Sequence, residues 1–407
     1  MDRITERLRQ AREEAGLTQQ QVADWLGVRR PGVTEIEAGR RAVKTEELAR
    51  LASLYGRSIA WLSGADALAE DRLSGALFRA SGAEDPVLRR EAHLLGRRCR
   101  LLAEAEGRLG LGRLPIMPQY PDDAALGAYG RAVEHGRAVA YQERERLSLG
   151  VHAPLSDVWG IVEGAGLRVF ALQLGQQHAV DGIFAMVDEN RACVGVNVDK
   201  WIFRQIFTVV HEYAHALLDR SVGSDICRTG HAWKADRRDL YANRELRANQ
   251  FAAVFLVPRE ALLRYLANAG KLRVTRHVPP VASDLTAVDI VRAQDHFNVS
   301  VDMVLWRMVN EKVISANERH RLLEHLRSRG VTALARSLGY DWRRKAQPVT
   351  RAQEIALLAY GKGHLSLGEL AEIHGMDKSD MLSKLGEWGI VQEFADADAL
   401  LGATAAG

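Results

Sequence analysis

The run Gln205-Ile206-Phe207-Thr208-Val209-Val210-His211-Glu212-Tyr213-Ala214-His215-Ala216-Leu217-Leu218-Asp219 decides how the rest of the chain is read. Ile206, Val210, Ala214 and Leu217 recur at helical spacing, which predicts a buried helix. On it His211 and His215 lie four residues apart, one turn from each other on a single face. Both imidazoles can therefore reach one metal ion. Glu212 is offset around the axis, where its carboxylate meets a water rather than the metal. Asp219 returns to the histidine face four residues past His215, where a carboxylate can orient a ligand ring from behind.

A third ligand is available downstream. Arg244-Glu245-Leu246-Arg247-Ala248-Asn249-Gln250-Phe251-Ala252-Ala253 reads as a second helix, with Glu245, Ala248, Asn249 and Ala252 on one face. The small residues let this helix approach the first closely. Asn249, one turn beyond Glu245, can bond the outer nitrogen of a ligating histidine and fix its tautomer. His-Glu-x-x-His is the arrangement of zinc peptidases. Asp225, Asp236, Asp239 and His231 compete as third ligands, but none has a comparable helical context. Two imidazoles and one carboxylate leave one zinc ion per chain with an open position. Water is acidified there and a carbonyl polarised, while Glu212 takes the water proton and passes it to the leaving amine. An oxyanion donor is also needed; Tyr241, His231 and Arg244 are near in sequence, and the choice among them stays open.

His211-Glu212-x-x-His215, then Glu245-x-x-Ala248-Asn249-x-Phe251-Ala252, then Leu256-Val257-Pro258, resembles the ImmA/IrrE family of metallopeptidases over roughly residues 134–262. The polar stretch from Ser221 to Asn243 does not align. The resemblance implies a zincin-like α+β peptidase domain, placed here at 124–262. A helix is expected over 125–147 and a short one at Leu155–Gly164. Strands are expected at Leu167–Leu172, Gly182–Val187 and Ala192–Val198, bounded by Gly, Asp and Asn. An edge strand beside the metal helix can hold an extended substrate by its main chain.

Residues 1–64 read as five short all-α helices. Thr18 is an N-cap, Val22, Ala23 and Leu26 give a buried face, and Gly27 permits the turn. Pro31 fits the first turn of the next helix, which Gly39 stops. Leu17-Thr18-Gln19, Leu26-Gly27-Val28 and Ile36-Glu37-x-Gly39 resemble the XRE-family, lambda-repressor-like helix-turn-helix domain. The resemblance implies binding to operator DNA. Arg29, Arg30, Gly32 and Thr34 would then face base edges, and Gln19, Arg40 and Arg41 phosphates. Eleven Lys/Arg against nine Asp/Glu make the segment only weakly basic, with its basic pairs flanking the reading helix.

Residues 65–123 read as a helical linker. A helix begins at Asp85-Pro86 and runs to about Leu109. Leu88, Ala92, Leu95, Cys99 and Leu102 form a seam that can pair with a second copy, making a homodimer, or pack on its own chain. Pro115, Pro118 and Pro121 mark a loop over 110–123. Residues 263–407 read as an all-α region. There Leu365-Ser366, Leu370-Ala371 and Gly375-Met376 repeat the spacing of Leu17-Thr18, Val22-Ala23 and Gly27-Val28. Asp377, Lys378 and Asp380 replace Arg29 and Arg30, so this second helix-turn-helix-like unit, at 349–392, is expected to contact a partner or signal rather than DNA.

The totals fit this division. A chain of 407 residues exceeds one ordinary core, and 47% hydrophobic with 26% charged residues is a globular composition. A net charge of +3 means that nucleic-acid binding must come from a local patch. Three widely separated cysteines, Cys99, Cys193 and Cys227, argue against a disulfide framework and for a reducing cytoplasm. No signal peptide or membrane span is expected. The expected fold is mainly α with one α+β domain. The expected protein is a cytoplasmic regulator joining a DNA-binding front to a zinc endopeptidase. Family resemblance points to site-specific cleavage of an XRE-type repressor under stress or mobile-element signals. The rivals are a transcription factor or antitoxin-type repressor whose peptidase fold serves as a sensor or structural domain.

Overall fold

A computed structural model describes residues 3–14, 17–55, 62–63, 86–111, 117–186, 192–220, 225–228, 240–275, 278–340, 342 and 350–390. The front opens with α1 (Arg3–Glu14), α2 (Gln19–Leu26), α3 (Arg30–Glu37) and α4 (Thr45–Tyr55). Thr18 and Gln21 cap α2 reciprocally, each side chain taking the other's backbone N–H. Gly27 closes it at φ 71°, a conformation that costs a side-chain-bearing residue more. Leu8, Val22, Leu26, Val33, Ile36 and Leu51 form a separate core. Most of the expected fifth helix lies outside the described residues.

Next comes α5 (Pro86–Arg108). Its seam is covered within the chain: Leu88, Ala92, Leu95, Cys99 and Leu102 are all buried in one cluster with strand and C-terminal residues. The homodimer alternative for this seam is thereby corrected, because the apolar face is already spent. In the expected 110–123 loop, residues 117–123 are more than a spacer. Met117 is buried, the Tyr120 N–H donates to the Leu217 carbonyl (2.9 Å), and Arg220 donates to the Met117 carbonyl (2.7 Å). These bonds strap the end of the helix that carries His211 and His215.

The α+β part contains α6 (Tyr129–Arg146), α7 (Val158–Gly164), β1 (Arg168–Leu172), β2 (Val180–Met186), β3 (Ala192–Asn197), α8 (Ile202–Leu218), β4 (Asp225–Arg228) and α9 (Leu240–Leu256). The sheet order is β1-β3-β2-β4, with β1 parallel to β3 and the other pairs antiparallel. The strands read as apolar runs because both sheet faces are covered. Val169, Phe184, Val194 and Val196 join the core around α8; Phe170, Leu172, Ile183, Ala185 and Cys193 join the core under α5. Cys99 and Cys193 bring their sulfurs together across this second interface, with Cα atoms 6.6 Å apart. That pair departs from the expectation, drawn from their wide separation and odd number, that the cysteines make no disulfide framework.

Beyond α9 follow α10 (Arg259–Asn268), the hairpin β5 (Leu272–Thr275) and β6 (Val278–Ala282), α11 (Ala287–Phe297), α12 (Val301–Asn310), α13 (Ala316–Arg329) and α14 (Val331–Ser337). Ile290, Val291, Phe297, Leu305, Met308 and Leu322 lie in the same core as the α8 residues. The boundary expected at 262 therefore falls inside a continuous core. Last come α15 (Arg351–Gly361), α16 (Leu367–His374) and α17 (Lys378–Glu387), packed against α5 and β1. Ser366 and Glu369 form a capping box and Gly375 closes α16 at φ 70°, matching Thr18, Gln21 and Gly27. No described helix is long and apolar enough to cross a membrane.

Candidate metal centre and nucleic-acid interface

Every residue of α8 from Thr208 to Leu218 is buried, so the apolar stripe seats the helix and draws its polar residues inside with it. His211 and His215 emerge on one face with their Nε2 atoms 3.1 Å apart. Small residues bring α9 alongside, Ala248 and Ala252 being fully buried. On α9's other flank a Cβ at Gly136 of α6 would lie 2.3 Å from the Arg247 carbonyl, so only glycine permits that helix contact. The approach brings Glu245 to the histidines: Oε2 is 3.4 Å from His211 Nε2 and Oε1 is 3.2 Å from His215 Nε2. Among the described residues these three form the group able to hold a metal ion.

The donor set fits zinc. A tetrahedral ion with bonds of about 2.1 Å keeps its ligands about 3.4 Å apart. Here the two Nε2 atoms are 3.1 Å apart, each has its own Glu245 oxygen at 3.4 or 3.2 Å, and one ligand atom from each residue lies within 4.8 Å of the others. Each ring is also held from behind. Asn249 Oδ1 lies 3.0 Å from His211 Nδ1, and Asp219 Oδ2 lies 2.9 Å from His215 Nδ1. Acceptors at both Nδ1 atoms favour the tautomer that leaves each Nε2 lone pair free for a cation. Burial pushes the Glu245 carboxyl up, but the two histidines outweigh it and hold it below the usual carboxylate range. Burial likewise opposes charge on His215, and the Asp219 and Glu245 carboxylates outweigh that, raising its pKa well above the ordinary value. A site that draws positive charge in this way is one that a divalent cation satisfies.

Glu212 is fully buried on the same helix. Opposite it stands Gly182 of β2, where a Cβ would lie 2.6 Å from Thr208 Cγ2 and 3.2 Å from Glu212 Oε1. The missing side chain is what lets Thr208, one turn before Glu212, pack against β2; sequence reading placed Gly182 only at a strand end. Of the oxyanion candidates, Arg244 has its Nε 3.6 Å from Asp219 Oδ1. His231 lies outside the described residues, as do Asp236 and Asp239 among the competing ligands, and the side chains of Tyr241 and Asp225 are likewise not described.

On the front, Arg29, Arg30 and Arg40 are exposed around α3. The other predicted readers are engaged within the domain. Thr34 Oγ1 donates to Gln19 Oε1 (3.0 Å), Gln19 Nε2 donates to Glu37 Oε2 (2.9 Å), and Arg41 pairs with Glu47 at 2.5 Å. Gly32 lies under Arg41, a Cβ there being 3.7 Å from its Nη1. The Gln19 contacts brace α2 against α3, and Arg41 ties the end of α3 to α4, while Arg29, Arg30 and Arg40 stay exposed.

Fold and site together define a helix-turn-helix front joined to a peptidase-type α+β unit. Comparison with known families agrees. Residues 3–61 match the family model of a helix-turn-helix domain, and residues 162–308 match that of the IrrE N-terminal-like domain. The chain thus has the ImmA/IrrE architecture. The second match extends into α12, in keeping with the continuous core. A search of curated proteins gave no match.

Proposed function

We propose that this chain is a cytoplasmic DNA-binding regulator carrying a zinc-dependent endopeptidase. Its substrate is a regulatory protein, a repressor of the helix-turn-helix type, cut at one site in a stress or mobile-element response. The observation that carries this reading is Glu212, buried on the metal helix beside the convergence of His211, His215 and Glu245 but outside it. A purely structural metal has no use for such a carboxylate. Bound there, one zinc ion supplies Lewis acidity toward a water and a scissile carbonyl. Glu212 accepts the water proton and returns it to the departing amine. Asn249 and Asp219 keep the two rings in register. β4, at the sheet edge beside β2, offers main-chain bonds to an extended substrate. Arg29 and Arg30 supply base contacts and Arg40 a phosphate contact, with Gln19, Gly32, Thr34 and Arg41 shaping that surface.

A second reading, a sensor domain without proteolysis, is favoured by the burial of all four residues, none more than 6% exposed. The two readings part on one experiment. Cellular proteins are compared between cells carrying the native chain and cells carrying Glu212→Gln. A fragment made only by the native chain, with zinc content equal in both, supports the peptidase; identical fragment patterns remove it. The front is tested by Arg30→Ala, which should weaken operator binding at fixed salt and leave cleavage intact.

A further inference from the structure

Two residues from Glu245 and two from Asn249, α9 carries Arg247, a residue that no metal-site motif requires. It is fully buried. Its Nη2 donates to Asp219 Oδ1 at 2.5 Å and more weakly to the Leu218 carbonyl at 3.4 Å. Its Nη1 donates to the Asp122 carbonyl at 3.2 Å and lies 3.4 Å from His135 Nδ1. The other oxygen of Asp219 is the one that meets His215 Nδ1, at 2.9 Å. One carboxylate is thus gripped on both sides, by a guanidinium and by a prospective metal-ligand ring.

We propose that Arg247 is a positioning residue for the metal site: it fixes Asp219, and through Asp219 the plane and tautomer of His215. The geometry supports this in three ways. Asp219 follows the last residue of α8 and sits where the helix ends, so its backbone alone holds its side chain weakly. A short charge-assisted bond to a planar guanidinium removes that freedom. The guanidinium is itself pinned from another segment by the Asp122 carbonyl, so the anchor does not rest on the end of α8 alone. α9 therefore serves the site three times: Glu245 as ligand, Asn249 behind His211, and Arg247 behind Asp219.

This inference rests on the triad holding a metal, and the test separates the two. Zinc affinity is measured by competition with a chromophoric chelator on the full chain, for the native protein, Arg247→Gln, Asp219→Asn and the double variant. Each single substitution should weaken zinc binding about 10–100-fold, the range for loss of a supporting partner. The double variant should be no weaker than Asp219→Asn alone, because both residues act through one contact. Arg247→Lys, which keeps the charge but not the planar fork, should fall between native and Arg247→Gln, and serves as the probe if Arg247→Gln does not fold. A purely structural arginine would lower the melting temperature and leave zinc affinity unchanged; that result, or additive losses in the double variant, overturns the proposal alone. A native chain that takes up no zinc overturns the metal site and this inference together.

Discussion

Glu163, at the end of α7, is 3% exposed and reaches across to the C-terminal helices. Its Oε2 accepts the Arg351 N–H at 2.7 Å and its Oε1 the Ala352 N–H at 3.4 Å, so it caps α15 from another part of the chain. Burial pushes its pKa from 4.5 up to about 7, against the pull of those amides and of Arg168. The folded chain therefore keeps a proton that the unfolded chain loses, and stability falls as pH rises through that window. At 1.36 kcal/mol per unit the loss is about 3 kcal/mol, an order-of-magnitude figure. His374, 7% exposed and lowered from 6.5 to about 4 by burial, acts in the opposite sense. It must take up a proton on unfolding, so it contributes stability above pH 6.5 that is lost as pH falls toward about 4, again about 3 kcal/mol. The two nearly cancel in the native chain. His374→Gln should expose the Glu163 slope, a urea midpoint that drops from about pH 5 to about pH 7. Glu163→Gln should expose the opposite slope. A native pH profile retained in both variants would refute the assignment of either group.

Three further outcomes follow from the same contacts. Gly182→Ala should cost about 1–3 kcal/mol through its clash with Thr208 and depress substrate cleavage more than zinc content, as read by thermal melts, fragment yield and metal analysis. Asn249→Ala should weaken zinc binding about 10–100-fold in chelator competition while the chain stays folded by circular dichroism. Leu95→Ala, at a position with no exposure, should cost about 2–5 kcal/mol in urea unfolding and leave the oligomeric state unchanged in light scattering. A dimer seam would instead change the oligomeric state.

The convergence of His211 and His215 with Glu245 was legible because four-residue spacing on a helix fixes which side chains are neighbours. His211, His215, Asp219, Glu245 and Asn249 needed only periodicity and ligand chemistry. The front was legible for a similar reason: Thr18 and Gly27 act locally, through one cap and one positive φ. What failed to show was whatever depends on a distant partner. The α5 seam has the same pattern whether a sheet or a second copy covers it. Arg247 meets Asp219 across 28 residues of sequence, and nothing in its neighbours announces that contact. Cys99 and Cys193 are 94 residues apart, so their contact follows from the packing of α5 on β3.

The remaining gaps have local causes. β4 lies in a polar stretch, and it is a strand because β2 offers it a free edge, not because of an alternating pattern. β6 contains Pro279 and Pro280, residues that argue against a strand, yet they fall at the register shift between the Arg273–Val281 and Thr275–Val278 pairs, an irregularity that tolerates missing N–H groups. Gln19, expected at a phosphate, and Thr34, expected at a base edge, also bond one another, a contact that position alone does not show. The boundary at 262 followed the last motif residue, Pro258. The core does not stop there, since Arg307 of α12 donates to the Val257 carbonyl at 2.9 Å.

The most direct measurement is anomalous diffraction at the zinc edge from crystals of the full chain grown with zinc. The account predicts one peak per chain, about 2 Å from His211 Nε2, His215 Nε2 and a Glu245 oxygen, with Glu212 outside bonding distance. A peak elsewhere, or one bound by Glu212 in place of Glu245, would contradict it.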